Sequence, residues 1–198
     1  MANLNGKNVI ITGAAGGLGG EIARAAAAAG AAVAIFDVKG VDEAVANLKQ
    51  SGFKAVGVTV DVRDGKAVVA ATDEVARALG GVHILIAAAG GSLGTPRDLD
   101  DISEEDLDFV LDVNIKGTFN CARAAISHMK QNGGGSIVTF SSIGGRSASP
   151  VTGVPYAAAK AGLLGLTRRL AREVGNANIR VNAIAPGLFL TDRLQGMF

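Results

Sequence analysis

The sequence predicts an α/β fold in which a parallel sheet is covered on both faces by helices. Three observations point there. Apolar runs rich in β-branched residues recur at 9–12, 32–36, 55–60, 83–88, 136–140 and 179–184, each the length of a buried strand. Helical patterns near 17–29, 41–51, 64–79, 103–130 and 154–174 lie between them, and regular alternation of this kind argues for parallel strands joined by crossover helices. The runs are continuously apolar instead of alternating, as expected of strands with no wet face.

The chain has 198 residues, and at about 150 residues per domain it reads as a single domain, 1–198, with no internal repeat and no linker. Pro96, Pro150, Pro155 and Pro186 all fall in expected loops or helix starts, so none divides the chain. Lys and Arg total 19 against 18 Asp and Glu, a net charge of +1, which gives no field to attract nucleic acid or anionic lipid. The longest apolar stretch, 25–36, contains Gly30 and falls well short of the roughly 20 residues that span a bilayer. A single cysteine, Cys121, forms no intrachain disulfide, and the N-terminus lacks the pattern of a secretory signal. A cytoplasmic protein is the expectation.

Taken in order, the first strand runs into Thr12-Gly13-Ala14-Ala15-Gly16-Gly17-Leu18-Gly19, which opens the first helix. Glycines there let the backbone turn sharply and approach a pyrophosphate, whose charge the helix amino end stabilises. No lysine follows in Walker spacing, which excludes a P-loop nucleotidase. Asp37 ends the second strand 18 residues after Gly19, near the distance at which an acid reaches the adenosine ribose. An acid there accepts from both ribose hydroxyls and repels a 2′-phosphate, favouring NAD over NADP. Methyltransferases that bind S-adenosylmethionine share this layout, so the choice falls to later residues. Ser103-Glu104-Glu105-Asp106 has capping-box spacing and starts the long helix 103–130.

Tyr156 is the chain's one tyrosine, and Lys160 stands four residues later in an expected helix. Residues at that spacing share a face, and a fixed ammonium near a phenol favours the phenolate, as a general acid/base requires. Ser141 and Ser142 end the fifth strand at the carboxyl edge, where parallel sheets bind ligands. His83 falls at the start of a strand, on the opposite edge, and His128 near the end of a helix; neither is assigned a function. Cys121 reads as a small buried filler.

Together these motifs resemble the short-chain dehydrogenase/reductase family along essentially the whole chain, in particular its 3-oxoacyl-(acyl-carrier-protein) reductase-like members. Thr12-Gly13-x-x-x-Gly17-x-Gly19 resembles its cofactor loop, with Gly16 and Leu18 inside it. Asp61, with Val62, resembles its adenine contact, and Asn114 its active-site asparagine. Ser142, Tyr156-x-x-x-Lys160 and Pro186-Gly187-x-x-x-Thr191 complete the series in the family's order. The resemblance implies that Tyr156 exchanges the proton of the substrate oxygen and Ser142 hydrogen-bonds that oxygen. It implies that Lys160 assists the tyrosine and holds the nicotinamide ribose, that Asn114 supports a proton-relaying water, and that 186–191 lies along the nicotinamide amide. Where the family usually has Asn-Asn-Ala-Gly after strand four, this chain has Ala87-Ala88-Ala89-Gly90, so two side-chain anchors near the cofactor are absent.

The expectation is a doubly wound Rossmann fold that works as an NAD(H)-dependent oxidoreductase on a secondary alcohol or ketone. A non-catalytic nicotinamide-binding scaffold and a methyltransferase are the alternatives. The resemblance implies a homodimer or homotetramer built on helices 103–130 and 154–174. Relatives usually continue past the equivalent of Thr191 through a substrate-covering flap and one more strand. The sequence given ends at Phe198, so strand 179–184 is expected at the sheet edge, covered by further chain or by a partner.

Overall fold

The computed structural model describes residues 3–149 and 151–187. Strands β1 (Asn8–Thr12), β2 (Ala32–Asp37), β3 (Ala55–Thr59), β4 (Ile84–Ala87), β5 (Gly135–Phe140) and β6 (Ile179–Ile184) form one parallel sheet in the order β3-β2-β1-β4-β5-β6. Helices α1 (Gly17–Ala28), α2 (Val41–Gln50), α3 (Gly65–Leu79), α4 (Glu104–Leu111), α5 (Gly117–Gln131) and α6 (Val154–Val174) link them. This is the Rossmann order. The chain reverses its direction of travel across the sheet between β1 and β4, and the crevice beyond their carboxyl ends is where such sheets take ligands.

Alternate residues of the strands feed two separate cores. Ile10, Ala34, Phe36, Leu85 and Ile137 pack with side chains of α3 and α5 on one face. Val9, Ile11, Val33 and Ile35 pack with α1 and α2 on the other. That division explains why the runs are continuously apolar: both faces of β1 and β2 are dry. At the edge, β6 pairs only with β5 among the described residues. There Ile179 and Val181 are buried while Arg180 and Asn182 are exposed, a one-sided pattern that fits the expected edge strand.

The long helix expected over 103–130 is two helices. Ser103 caps α4 in a full capping box with Asp106, as its spacing implied. Between α4 and α5 the chain takes a π-helical turn, Asp112–Lys116, which widens the helix by one residue per turn and turns a side chain inward. That side chain is Asn114, completely buried. Its Nδ2 donates to Val110 O one turn back and to Gly91 O on the loop after β4. The π turn thus exists where a polar group is drawn into the crevice.

The remaining candidates outside the crevice have structural occupations. His83 Nδ1 accepts from the Asn8 N–H at 3.1 Å, and burial holds its imidazole below the usual range. His128 Nε2 meets Asp73 Oδ1 at 2.8 Å, tying α5 to α3. Cys121 is buried in the core below α5, and desolvation pushes its thiol up to about 12, leaving it protonated and inert.

Candidate active site

The glycine loop is shaped by collisions that a side chain would cause. A Cβ on Gly13, whose φ is +66°, would lie 2.8 Å from Ala89 Cα, and one on Gly19 would strike the Gly13 carbonyl. Gly17 also takes a positive φ, of 54°. These three glycines are required by the turn and by its contact with the loop after β4. Gly16 differs: its backbone is extended, and a Cβ there would meet nothing within 4 Å.

At the start of α1, no side chain caps the helix and its first turn holds no acidic residue. Gly16 and Gly17 are exposed and Leu18 is half-buried. An uncapped helix start with bare glycine backbone in front of it fits a pyrophosphate, which would accept from amides that nothing else covers. Asp37 stands beside this cradle. Its Oδ2 accepts from the Ala15 N–H at 3.0 Å and its Oδ1 from the Val38 N–H at 2.8 Å, so the carboxylate fixes the glycine loop while remaining half-exposed.

Asp61 is engaged by Arg63, whose Nη2 lies 2.6 Å from Oδ2 and whose backbone N–H reaches Oδ1 at 2.9 Å. The Arg63 guanidinium holds the Asp61 carboxyl below its ordinary range and lies over the Phe109 ring at 5.0 Å. Val62 is buried, and its carbonyl accepts from Asn120 Nδ2 at 2.9 Å.

The loop after β4 is fastened through its backbone. Thr12 Oγ1 accepts from the Ala89 N–H at 2.9 Å, and Asn114 Oδ1 accepts from the Gly91 N–H at 3.0 Å while Nδ2 donates back to Gly91 O. Gly90 and Gly91 take φ of 150° and 141°, and a Cβ on Gly90 would collide with Asn114 Oδ1 and lie 3.3 Å from Lys160 Nζ. Gly90, Asn114 and Lys160 are therefore one contiguous group. The Ala87, Ala88 and Ala89 side chains take no polar part. Thr12 belongs to the cofactor-loop motif, yet its role as the brace for this loop was missed. The available signal was a hydroxyl at the end of an otherwise apolar buried strand.

Opposite them, α6 presents Tyr156 and Lys160. Pro155 at its start and the extended Gly153 before it set where the helix begins. Lys160 Nζ lies 5.5 Å from the Tyr156 ring centroid, with Tyr156 half-buried and Lys160 5% exposed. The ammonium donates to Phe140 O at 2.8 Å, and desolvation pulls it down to about 8.

The two serines after β5 separate by environment. Ser141 is buried and donates its hydroxyl to Lys160 O at 2.7 Å, which fastens β5 to α6. Ser142 Oγ is half-exposed and accepts from the Gly144 N–H at 3.2 Å, so its proton remains to be donated. Pro186 O accepts from the Ile143 N–H at 3.0 Å, which places the segment after β6 against the Ser142 turn. Gly187 follows, exposed; Thr191 lies outside the described residues.

The Lys160 environment has a measurable consequence for folding. Its ammonium is protonated in the unfolded chain up to about 10.5 but loses its proton near 8 when folded. Between those values the unfolded state binds more protons, so Lys160's burial penalty, full below pH 8, is relieved as pH rises, by about 3 kcal/mol in all. Chemical denaturation of the parent and of Lys160→Met across pH 7–10.5 is expected to show the parent gaining stability relative to the variant. Parallel curves would contradict it.

Comparison with known proteins identifies the family. The family model described as short chain dehydrogenase matches residues 7–197. A short-chain type dehydrogenase/reductase, y4mP, of Sinorhizobium fredii is 42% identical over 196 residues, covering 96% of this chain and 76% of the relative. Oxidoreductase UcpA of Salmonella typhimurium is 39% identical over 199 residues, 100% of this chain and 74% of the relative. The crystal structure of NAD+-bound xylitol dehydrogenase superposes with a TM-score of 0.91 at 30% identity, covering 96% of this chain and 74% of that one. This chain belongs to the short-chain dehydrogenase/reductase family of oxidoreductases.

Proposed function

We propose that the protein transfers a hydride between NAD(H) and a secondary alcohol or ketone, with Tyr156 as the general acid/base. The observation that carries the reading is the convergence of Tyr156, Ser142 and a buried Lys160 at the carboxyl end of β5, across the crevice from an uncapped glycine cradle. Xylitol, named for the structural neighbour, is a polyol with secondary hydroxyls, which supports that substrate class. Family membership removes the methyltransferase alternative.

When bound, the nicotinamide supplies the hydride acceptor or donor. The chain's own residues handle the proton. In the oxidising direction Tyr156 Oη takes the hydroxyl proton as the carbon gives up its hydride and the C–O bond becomes C=O; in reduction the same oxygen returns it. Ser142 Oγ, its proton uncommitted, donates to the reacting oxygen and fixes its position. Lys160 supplies positive charge beside the phenol from a fixed site on the Phe140 carbonyl, and its position beside Gly90 lets it reach a ribose. Asn114, with its side chain engaged by Gly91 and Val110, positions the loop that faces Lys160, and a water beside it relays the proton outward. The cradle of Gly13, Gly16, Gly17, Leu18 and Gly19 holds the pyrophosphate. Asp37 takes the adenosine ribose, Asp61 and Val62 flank the adenine, and Ala88, Ala89 and Gly90 line the floor. Pro186 and Gly187 would lie along the nicotinamide amide; Thr191 lies outside the described residues. A reducing cytoplasm suits the one buried thiol.

The exposed faces of α4 and α5 suit self-association. Asp98, Asp100 and Asp101 precede α4 and Glu104 and Glu105 open it, while Lys116, Arg123 and Lys130 lie in the π turn and along α5. Leu107 and Phe109 of α4 and Phe119 of α5 are exposed. Two copies set antiparallel about a two-fold axis bring acid against base in both halves, so a homodimer, or a homotetramer built from it, is the proposed assembly.

Three measurements test this reading. Tyr156→Phe keeps the ring and removes the hydroxyl; dehydrogenase turnover is expected to fall far more than tenfold with folding intact, and activity surviving within tenfold overturns the mechanism. Calorimetry is expected to show NAD bound at least tenfold more tightly than NADP, because Asp37 repels the extra phosphate and Gly16 offers no cation to meet it; Asp37→Ala narrows the gap, and equal affinities for the parent refute the preference. Light scattering at micromolar concentration is expected to give a dimer or tetramer, a monomer being the contrary result.

A further inference from the structure

The segment entering α6 carries one polar group that the site as described does not use. Thr152 Oγ1 is shielded from solvent, and among the described residues no other buried side-chain nitrogen or oxygen lacks a hydrogen-bond partner. Such groups are rare, because a buried hydroxyl without a partner bears its full desolvation cost. Its place in the fold is specific. The position that a Cβ on Gly144 would occupy lies 3.5 Å from Thr152 Oγ1 and 3.6 Å from Tyr156 Cε1. Hydroxyl and reactive ring therefore border the same small gap, left open because residue 144 has no side chain.

The backbone behind Thr152 is held in place. A Cβ on Gly153 would lie 2.7 Å from Pro96 O and 3.4 Å from Arg97 Cα, so the chain at 152–153 is pressed against the loop that follows β4. Among the described residues the hydroxyl has no hydrogen-bond partner, and turning it by one staggered rotamer breaks no hydrogen bond. A rigid backbone and an uncommitted hydroxyl beside the reacting tyrosine together make a recognition element.

We propose that Thr152 determines substrate specificity: its hydroxyl hydrogen-bonds a second substrate oxygen carried one or two carbons from the carbon that reacts at Tyr156. The preferred substrates are then diols and hydroxyketones, and simple secondary alcohols are poorer ones. This rests on the oxidoreductase reading above and deepens it. The closeness of Thr152 Oγ1 and the Tyr156 ring at this gap suits two oxygens carried near each other on one carbon chain. A site that hydrogen-bonds a substrate hydroxyl disfavours the analogue lacking it, because its own buried partner then stays unpaired.

Three four-carbon alcohols assayed with NAD test the assignment: butane-2,3-diol, butane-1,3-diol and butan-2-ol. The parent is expected to favour at least one diol over butan-2-ol by tenfold or more in kcat/KM. Thr152→Val, which keeps the shape, is expected to lower that ratio at least tenfold, chiefly through KM, and Thr152→Ser to restore it. Without ligand, Thr152→Val is expected to melt about 2–4 °C higher, since an unpaired buried hydroxyl is gone. A diol preference that is absent, or that Thr152→Val leaves intact, overturns the inference alone, as does a lower melting temperature for that variant. No turnover of any of the three alcohols by the parent overturns the oxidoreductase reading together with it.

Discussion

The site depends on a buried cation placed on a main-chain carbonyl. Lys160 is 5% exposed, and the described residues give its ammonium one hydrogen-bond acceptor, Phe140 O. An ammonium with one neutral acceptor is poorly compensated for the water it has lost, which is why its proton is held so loosely. The strain is localised by what surrounds it. Ser141 donates to the carbonyl of Lys160 itself, and Gly145 lies so close to the Lys160 backbone that a Cβ would come within 2.5 Å of its carbonyl carbon. The end of β5 and the first turns of α6 are thereby fixed to each other on three sides, and Ser142 and Tyr156, which flank those contacts in sequence, take their positions from them. A helix joined to a strand through one long loop has no local rule to set its rotation; here the lysine sets it.

Across the crevice the logic is reversed, since the cradle depends on side chains that are absent. Gly13 and Gly19 are excluded from carrying a Cβ by neighbouring backbone, whereas Gly16 has open space and ordinary extended geometry. Two glycines in the loop are thus demanded by packing, and one is free to vary in what it presents to a ligand. Asp37 joins the two tasks. Its carboxylate holds the Ala15 amide, so a residue placed to read the ligand also sets the shape of the loop in front of it.

Much of this was legible in the sequence, for a physical reason in each case. Continuous apolar runs such as Val9–Ile11 and Val33–Phe36 announce strands buried on both sides, and the division of their side chains between two cores is the cause of the pattern. Ser103 and Asp106 could be read as a cap because capping is local. The pairing of Tyr156 with Lys160 is set by helical period alone. The π turn at Asp112–Lys116 could not be read, because it is imposed by Asn114 reaching Gly91, a partner 23 residues away. The different tasks of Ser141 and Ser142 were equally hidden, since neighbours with the same side chain are told apart only by which carbonyl lies beneath them. Local periodicity encodes elements; long-range backbone hydrogen bonds distribute the work within the site.

Alanines at 87 and 88 show how that distribution permits change. Two asparagines at this place would help to hold the loop after β4, and replacing both should loosen a floor on which a cofactor rests. The floor is instead gripped at its backbone from either side, by Thr12 on the amide of Ala89 and by Asn114 on both the amide and the carbonyl of Gly91. Neither grip involves a side chain of the loop. Thr12 is 1% exposed and Asn114 completely buried, so both bonds form where competing water is absent and where leaving a partner unmade would be costly. The loop's own side chains are thereby relieved of structural duty. Gly90 and Gly91 remain constrained because their positive φ and the closeness of Asn114 and Lys160 leave no room for a Cβ at Gly90. What this loop must keep is a backbone path, and that path is dictated from β1 and from the π turn, not from the residues that follow it.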